Sequence, residues 1–202
     1  MDTQQGVTLR TREGRPYRFD PGALCLELLI TGGPGEFARY ESLHTPVDLL
    51  HWVAVSRLPG GLEPTVTEAE LEQIRTVRDA LFRLTAARAH ARALNPDDLD
   101  AVNAAAAGPP LAARIESDGT RAWGPGATGA RLLSTVARDA VELFTGPHAD
   151  RIRECGAHNC RLLFVDTSRP GRRRWCAMEH CGNRHKVRAH RARTSENEAP
   201  GS

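Results

Sequence analysis

Four cysteines near the C-terminus constrain this 202-residue chain more than any other feature of its sequence. They follow the pattern Cys155-x4-Cys160-x15-Cys176-x4-Cys181. Two local thiolate pairs, each on a tight turn, supply the four tetrahedral ligands that zinc binds at about 2.3 Å. With four thiolates no position stays open for a substrate, so the pattern predicts a structural Zn2+ site. Gly156 and Gly182 are expected to allow the backbone turns that aim the sulfurs at one point.

Other uses of these thiols are an iron–sulfur cluster, redox switching, or structural disulfides. The chain start has no secretory apolar core, and no apolar run approaches the roughly 20 residues of a membrane span. We therefore expect a cytoplasmic protein without a membrane partner, in which clustered thiols stay reduced and bind metal. His158, His180 and His185 are alternative ligands, although His180 and His185 are expected to face solvent or a phosphate. Cys25, inside an apolar run, is expected to be a small buried hydrophobe.

The net charge of +2 hides an uneven distribution. Residues 151–193 contain 12 Lys or Arg and three acidic residues, a net charge of +9, whereas residues 1–150 carry a net charge of −5. An acidic body with a basic end indicates a polyanionic partner for that end.

Helix signals recur through the body. Thr67 and Glu70 form a predicted capping box at the start of an amphipathic helix that runs to about Leu94. Asp118-Gly119 lies between two alternating segments, which predicts a β-hairpin. Comparable cap and breaker residues predict further helices at about 46–58, 96–107 and 128–145.

These patterns predict a mainly α fold. Residues 1–148 are expected to form a helical regulatory or dimerisation domain with a small β-hairpin, which is also a candidate sensor of a small-molecule effector. Residues 149–193 are expected to form a compact four-cysteine zinc-finger module that ends in a basic helix, followed by a disordered tail at 194–202. Because no long flexible linker separates the two domains, we expect them to pack together.

The basic residues of the module are candidates for nucleic-acid contacts. The arm between the cysteine pairs ends in three arginines, and a helix is predicted from about Met178 to Arg193. Asn183 and Arg184 at its start have side chains suited to adenine and guanine edges. The remaining residues are expected to bind phosphates. The full candidate set is Arg172, Arg173, Arg174, Asn183, Arg184, Lys186, Arg188, Arg191 and Arg193.

The run WCAMEHCGNR at 175–184, preceded by CGAHNCRLLFVD, resembles the CGNR zinc-finger family of bacterial regulators. The upstream body, with LCLELLIT, a TPVDLLHW helix and a hairpin before the last helix, is similar to the helical stress-response regulator domain that accompanies this finger. The resemblance implies a zinc-bearing DNA-binding end and a body for sensing or dimerisation.

These observations leave three functions open. The first is a DNA-binding transcription regulator at the nucleoid, acting as a homodimer on double-stranded DNA. The second is an RNA-binding zinc-ribbon protein, although the finger lacks the paired exposed aromatics that stack unpaired bases. The third is an enzyme, which we do not expect. The body's candidate polar groups, Glu27, Thr31, His44, His51 and Trp52, form no nucleophile–base pattern.

Overall fold

The computed structural model describes residues 6–11 and 13–187 and confirms a mainly helical chain. Two 3-10 turns, Leu29–Thr31 and Gly35–Tyr40, follow the first helix. None of the described helices is both long and apolar enough to span a membrane. The α-helices are α1 (Leu24–Leu28), α2 (Pro46–Val55), α3 (Glu68–Ala89), α4 (Pro96–Ala107) and α5 (Gly129–Thr145).

The helices begin at the capping residues that the sequence predicts. The Thr67 hydroxyl accepts a hydrogen bond from Glu70 N, and the Glu70 carboxylate accepts one from Thr67 N at 2.8 Å. This reciprocal pair satisfies two N–H groups that the first turn of a helix leaves unpaired.

Helix α3 ends about five residues earlier than predicted. Ala91 has a φ of 50°, and Arg92 N donates to Ala87 O at 2.8 Å, which closes the helix end. This left-handed position is usually glycine. An alanine at this position does not mark a helix end in the sequence, so the predicted helix was too long.

The core of the body lies between α1, α3 and α5. All five residues of α1 are buried, and α3 and α5 supply a long row of apolar side chains. Two of the buried polar groups of the body carry a charge and form ion pairs that join separate segments. Arg78 is 1% exposed and donates to both carboxylate oxygens of Glu41, and Glu27, also 1% exposed, accepts from Arg57.

Three antiparallel hairpins complete the described part of the chain. They are β1 (Val7–Arg10) with β2 (Pro16–Phe19), β3 (Ala113–Ile115) with β4 (Arg121–Trp123), and β5 (Ile152–Glu154) with β6 (Leu163–Val165). The β3–β4 hairpin confirms the prediction made from Asp118-Gly119. The β1–β2 hairpin forms in a stretch whose polar character gave no strand prediction.

The zinc-finger module packs directly on the body, as the short connection predicts. Ile152, Leu163 and Val165 belong to the same buried apolar cluster as α1, α3 and α5. The β1–β2 hairpin, by contrast, packs on the cysteine end of the module, where Val7 and Phe19 share a second cluster with the cysteines. Strands β1 and β2 thus contact the module, although the predicted boundary placed them in the helical domain.

Candidate metal centre and nucleic-acid interface

The first cysteine pair lies at the tip of the β5–β6 hairpin. Cys155 follows β5 directly, and its N–H donates to Leu162 O at 2.9 Å, which extends the ladder by one step. Cys160 N donates to Ala157 O at 3.0 Å and closes the turn between the two cysteines. Backbone pairing on both sides therefore fixes this pair.

The second pair approaches from the end of the arm. Cys176 N donates to the Cys155 sulfur at 3.3 Å, so the two pairs are joined by an N–H···S contact. Cys181 lies in a π-helical turn, Met178–Gly182, at the start of the basic segment. The residues 183–187 that follow are helical.

The four sulfurs converge on one point. All lie within 4.8 Å of one another, with 3.8 Å between Cys160 and Cys176 and 3.5 Å between Cys176 and Cys181. A tetrahedron with zinc–sulfur bonds of about 2.3 Å has sulfur–sulfur edges of about 3.8 Å. The donor set and its spacing fit structural zinc, which Cys155, Cys160, Cys176 and Cys181 would hold.

Gly182 lies in tight contact with its neighbours and does not supply the backbone freedom predicted from the sequence. Neither Gly156 nor Gly182 has a positive φ. A Cβ on Gly182 would lie 2.8 Å from Met178 Sδ and 3.3 Å from Trp175 Cδ1. The glycine of the CGNR segment thus lets the π-helical turn pack against Trp175.

A buried aspartate organises the arm. Asp166 is 0% exposed and accepts hydrogen bonds from Ser168 N, Ser168 Oγ and Arg173 N. Burial opposes its ionisation, but these three donors lower the pKa of Asp166 below its ordinary value. Gly171, with a φ of 62°, completes the turn that carries the arginines.

The three arginines of the arm have different environments. Arg172 and Arg174 are exposed, and the Arg174 guanidinium lies 5.3 Å from the centre of the Trp175 ring. Arg173 instead points into the module. Its guanidinium donates to the backbone oxygens of Asp20, Trp175 and Cys176 and lies 4.2 Å from the Phe164 ring centre. Burial lowers the pKa of Arg173.

The predicted base-contacting residues are exposed at the start of the basic helix. Asn183, Arg184 and Lys186 all face solvent, and Asn183 Nδ2 donates to Glu179 O at 3.3 Å. Hydrogen bonds with the Thr11 side chain and with its own backbone lower the pKa of the exposed Glu13 on the β1–β2 hairpin, and the charge of Arg184 makes a smaller contribution. The other predicted contacts, Arg188, Arg191 and Arg193, and the predicted tail lie outside the described residues.

The histidines near the cysteines are not part of the sulfur cluster. His158 is exposed, as is His185, whose ring lies 4.7 Å from that of Trp175. His180 does not face solvent as predicted, because its ring stacks on Tyr17 at 4.5 Å and is half-buried. Its role in the structure is to attach the β1–β2 hairpin.

The remaining candidates of the body are either buried in the fold or exposed at its surface. Cys25 is 0% exposed, which confirms it as a buried small side chain, and burial raises the pKa of its thiol. Glu27 accepts from Arg57, and the Thr31 hydroxyl donates to Leu28 O. His44 and His51 are exposed. Trp52, the fifth candidate, is buried and donates to Glu27 O at 3.1 Å.

The body also contains an open groove of about 380 Å³ beside the C-terminal half of α3. Its apolar wall includes Phe37 and Phe82, whose ring centres are 4.6 Å apart. Its polar rim includes Arg92 together with the Arg83–Asp98 pair. Nothing in the sequence pattern predicted this groove, because it forms between segments that are far apart along the chain.

Comparisons with known proteins agree with the two structural parts. The ABATE family model, described as "Putative stress-induced transcription regulator", matches residues 22–147, and the CGNR zinc-finger model matches residues 151–194. No match was found among curated proteins. The two matches confirm the resemblance noted in the sequence, and the first covers more than half of the chain. The chain therefore belongs to the ABATE family of transcription regulators and carries a CGNR zinc finger at its C-terminal end.

Proposed function

We propose that this protein regulates transcription by binding double-stranded DNA through its zinc-finger module. One observation carries the proposal: exposed cationic side chains lie on both segments that the zinc centre joins, the arm and the basic helix. Holding cations on one rigid support lowers the entropy lost when they bind phosphates. These side chains are Arg172, Arg174, Arg184 and Lys186.

We infer different roles for these side chains from their positions and contacts. We assign Asn183 and Arg184, at the start of the helix, to base edges. Arg172, Arg174 and Lys186 are assigned to phosphates, and so are Arg188, Arg191 and Arg193, which lie outside the described residues. The guanidinium of Arg173 is already engaged by backbone carbonyls. We assign it to positioning the arm.

The burial and stacking of the aromatic side chains favour duplex DNA over RNA as the partner. Single-stranded RNA is bound by stacking its bases on open aromatic rings. In the described residues of the module, Trp175 is half-buried with Arg174 and His185 near its ring, and Tyr17 on the adjoining hairpin is half-buried and stacked on His180. Each ring already has a side chain against it.

The test measures binding of the zinc-loaded protein to duplex DNA by fluorescence anisotropy over a series of salt concentrations. Replacing Arg184 and Lys186 together by serine removes one cation assigned to base edges and one assigned to phosphates, so affinity should fall and the slope of log affinity against log salt should fall by about 1. Arg39→Ser is the control, since Arg39 is an exposed arginine of the body. Unchanged binding by the double variant would overturn the proposal. Stronger binding to structured RNA than to duplex DNA at equal salt would replace DNA with RNA as the partner.

Recovery and sequencing of the DNA that the protein selects would identify the operator. For a homodimer the recovered sites should contain two half-sites with fixed spacing. We place the contact between protomers on α2, whose outer face exposes Val47, Leu50 and Val55 at 55%, 36% and 61%. Val47→Asp should then lower the molecular mass measured by analytical ultracentrifugation, whereas Ile115→Asp on the β3–β4 hairpin adds the same charge to an exposed apolar residue away from α2 and should not.

We place effector binding in the groove beside α3. Its apolar wall at Phe37 and Phe82 and its cationic rim at Arg92 suit a small apolar carboxylate. A thermal-shift screen of aromatic and aliphatic carboxylates should find stabilisation that Arg92→Ser removes. Stabilisation by none of these compounds would count against a sensor at this groove.

A further inference from the structure

The β1–β2 hairpin has two chemically different faces. Its strand register pairs Val7 with Phe19 and Leu9 with Tyr17, and these four side chains pack into the cluster that contains the cysteines. The alternate pairs, Thr8 with Arg18 and Arg10 with Pro16, therefore lie on the opposite face. Arg10, Arg15 and Arg18 are all exposed.

The hairpin lies next to the start of the basic helix. Arg18 N donates to the Glu179 carboxylate at 2.8 Å, and the Tyr17 ring stacks on His180 in the same π-helical turn. At the tip, the charge of Arg184 adds a small contribution to the hydrogen bonds that lower the pKa of Glu13. The exposed arginines of the hairpin thus flank the CGNR segment, although they are more than 150 residues away in sequence.

The attachment is rigid as well as close. Phe19 is 0% and Val7 is 5% exposed, so the inner face of the hairpin forms part of the core around the metal centre. Both matched families leave this hairpin out, since their ranges are 22–147 and 151–194. A two-stranded antiparallel ribbon has the dimensions that a DNA major groove admits. Binding through such a ribbon costs little backbone entropy, because the backbone that carries the side chains is already ordered.

We propose that the outer face of the β1–β2 hairpin is a second DNA-binding element, whose Arg10, Arg15 and Arg18 bind backbone phosphates beside those bound by the basic helix. This inference rests on the proposed function and extends the interface to a segment outside the zinc finger. The partner is the sugar–phosphate backbone of duplex DNA. Glu13, as the acidic residue of the tip, opposes that contact.

The test uses full-length zinc-loaded protein and the same anisotropy titration. Replacing Arg10, Arg15 and Arg18 by serine should lower the slope of log affinity against log salt by about 2 to 3, since each phosphate that is no longer neutralised lowers it by about 0.9. Glu13→Gln should tighten binding. The matched control is Arg114→Ser with Arg121→Ser on the β3–β4 hairpin, which removes exposed arginines from a hairpin of the body.

Zinc content and thermal unfolding must stay at wild-type values for the triple variant, as expected for outward-facing residues. If they do not, the single variants Arg10→Ser and Arg15→Ser carry the test, each with an expected slope change of about 0.9. A wild-type slope for the hairpin variant, together with a reduced slope for the Arg184 and Lys186 variant, would overturn this inference alone. Wild-type slopes for both would overturn the proposed function as well. An equal reduction by the control pair would show a general charge effect and would also overturn the inference.

Discussion

The helical body and the zinc-finger module are stabilised in different ways. The buried cluster of the body draws apolar side chains from every helix between α1 and α5. The cluster at the metal end is small, and three of its buried members are metal ligands. The seven buried residues of this cluster are Val7, Phe19, Phe164, Cys155, Cys176, Ala177 and Cys181. Hydrophobic burial suffices for the body, whereas a core as small as that of the module requires the metal as a further source of stability.

The boundary between the two kinds of stabilisation passes through the β5–β6 hairpin. Ile152, Leu163 and Val165 pack into the core of the body, while Phe164, on the other face of β6, packs with the cysteines. Successive side chains of β6 point to opposite faces, so this strand packs into both clusters and holds the module on the body. Removal of the metal should therefore unfold the cysteine end without detaching the base of the hairpin.

The largest effect is expected from loss of the metal. Cys176→Ser, or treatment with a chelator, removes a ligand or the zinc itself and should abolish duplex binding while α1 to α5 remain folded. Zinc stoichiometry, hydrogen exchange of backbone amides and anisotropy check this outcome. Cys25→Ala is the control, since Cys25 is a cysteine of the body and should leave zinc content at the wild-type level. Binding that survives complete zinc removal would show that the metal has no part in recognition.

The next effect is expected from the core of the body. Leu81 on α3 is 2% exposed, and Leu81→Ala should lower the free energy of unfolding of the body by about 2–5 kcal/mol because it leaves a cavity. Urea denaturation measures this change, with Leu81→Met as a control that keeps most of the volume. Zinc content should be unchanged. If zinc were lost together with the stability of the body, the two regions would form one cooperative unit.

The same contrast explains what the sequence could predict. Cysteine spacing specified the metal ligands, and local caps such as Thr67 with Glu70 specified helix starts, because both signals lie within a few residues of one another. The role of Arg173 could not be predicted in this way. Its acceptors include Asp20 O, more than 150 residues away, so in sequence it looks identical to Arg172 and Arg174.

The β1–β2 hairpin illustrates the same limit. Its inner residues alternate Val7, Leu9, Tyr17 and Phe19, but interleaved arginines and a charged tip make the stretch look polar. The strands form because the cysteine cluster of the module covers their apolar face. The alternation of apolar and polar residues within 7–19 was the available signal for strands. The charged residues of the segment argued against that prediction.

Arg173 tests whether the arm and the hairpin are held by one side chain. Arg173→Met keeps the aliphatic stem and removes donors to three backbone oxygens, so the module should lose about 1–3 kcal/mol of stability. Faster zinc transfer to a competing chelator measures this loss. Arg172→Met is the matched control, because Arg172 is exposed and should leave zinc transfer unchanged. Equal rates for both variants would contradict the positioning role of Arg173.

The smallest effect is expected from acid titration of the body. Burial raises the pKa of Glu41, but hydrogen bonds from Arg78 and from Leu43 N outweigh it and hold that pKa below its ordinary value of 4.5. The unfolded chain therefore binds more protons than the folded one as the pH falls below 4.5. The stabilisation from Glu41 is complete above that pH and is lost as the pH falls through the folded-state pKa.

Glu41→Gln should thus lower the stability of the body by about 1–2 kcal/mol at neutral pH and flatten its decline in acid. Hydrogen exchange of α3 amides between about pH 6 and pH 3 isolates this response, because these amides report on the body whether or not zinc stays bound. Parallel pH profiles for wild type and variant would mean that Glu41 does not contribute. A flattened profile would show that the body responds to acid through a carboxylate–guanidinium pair remote from the metal, so the two regions differ in chemistry as well as in core size.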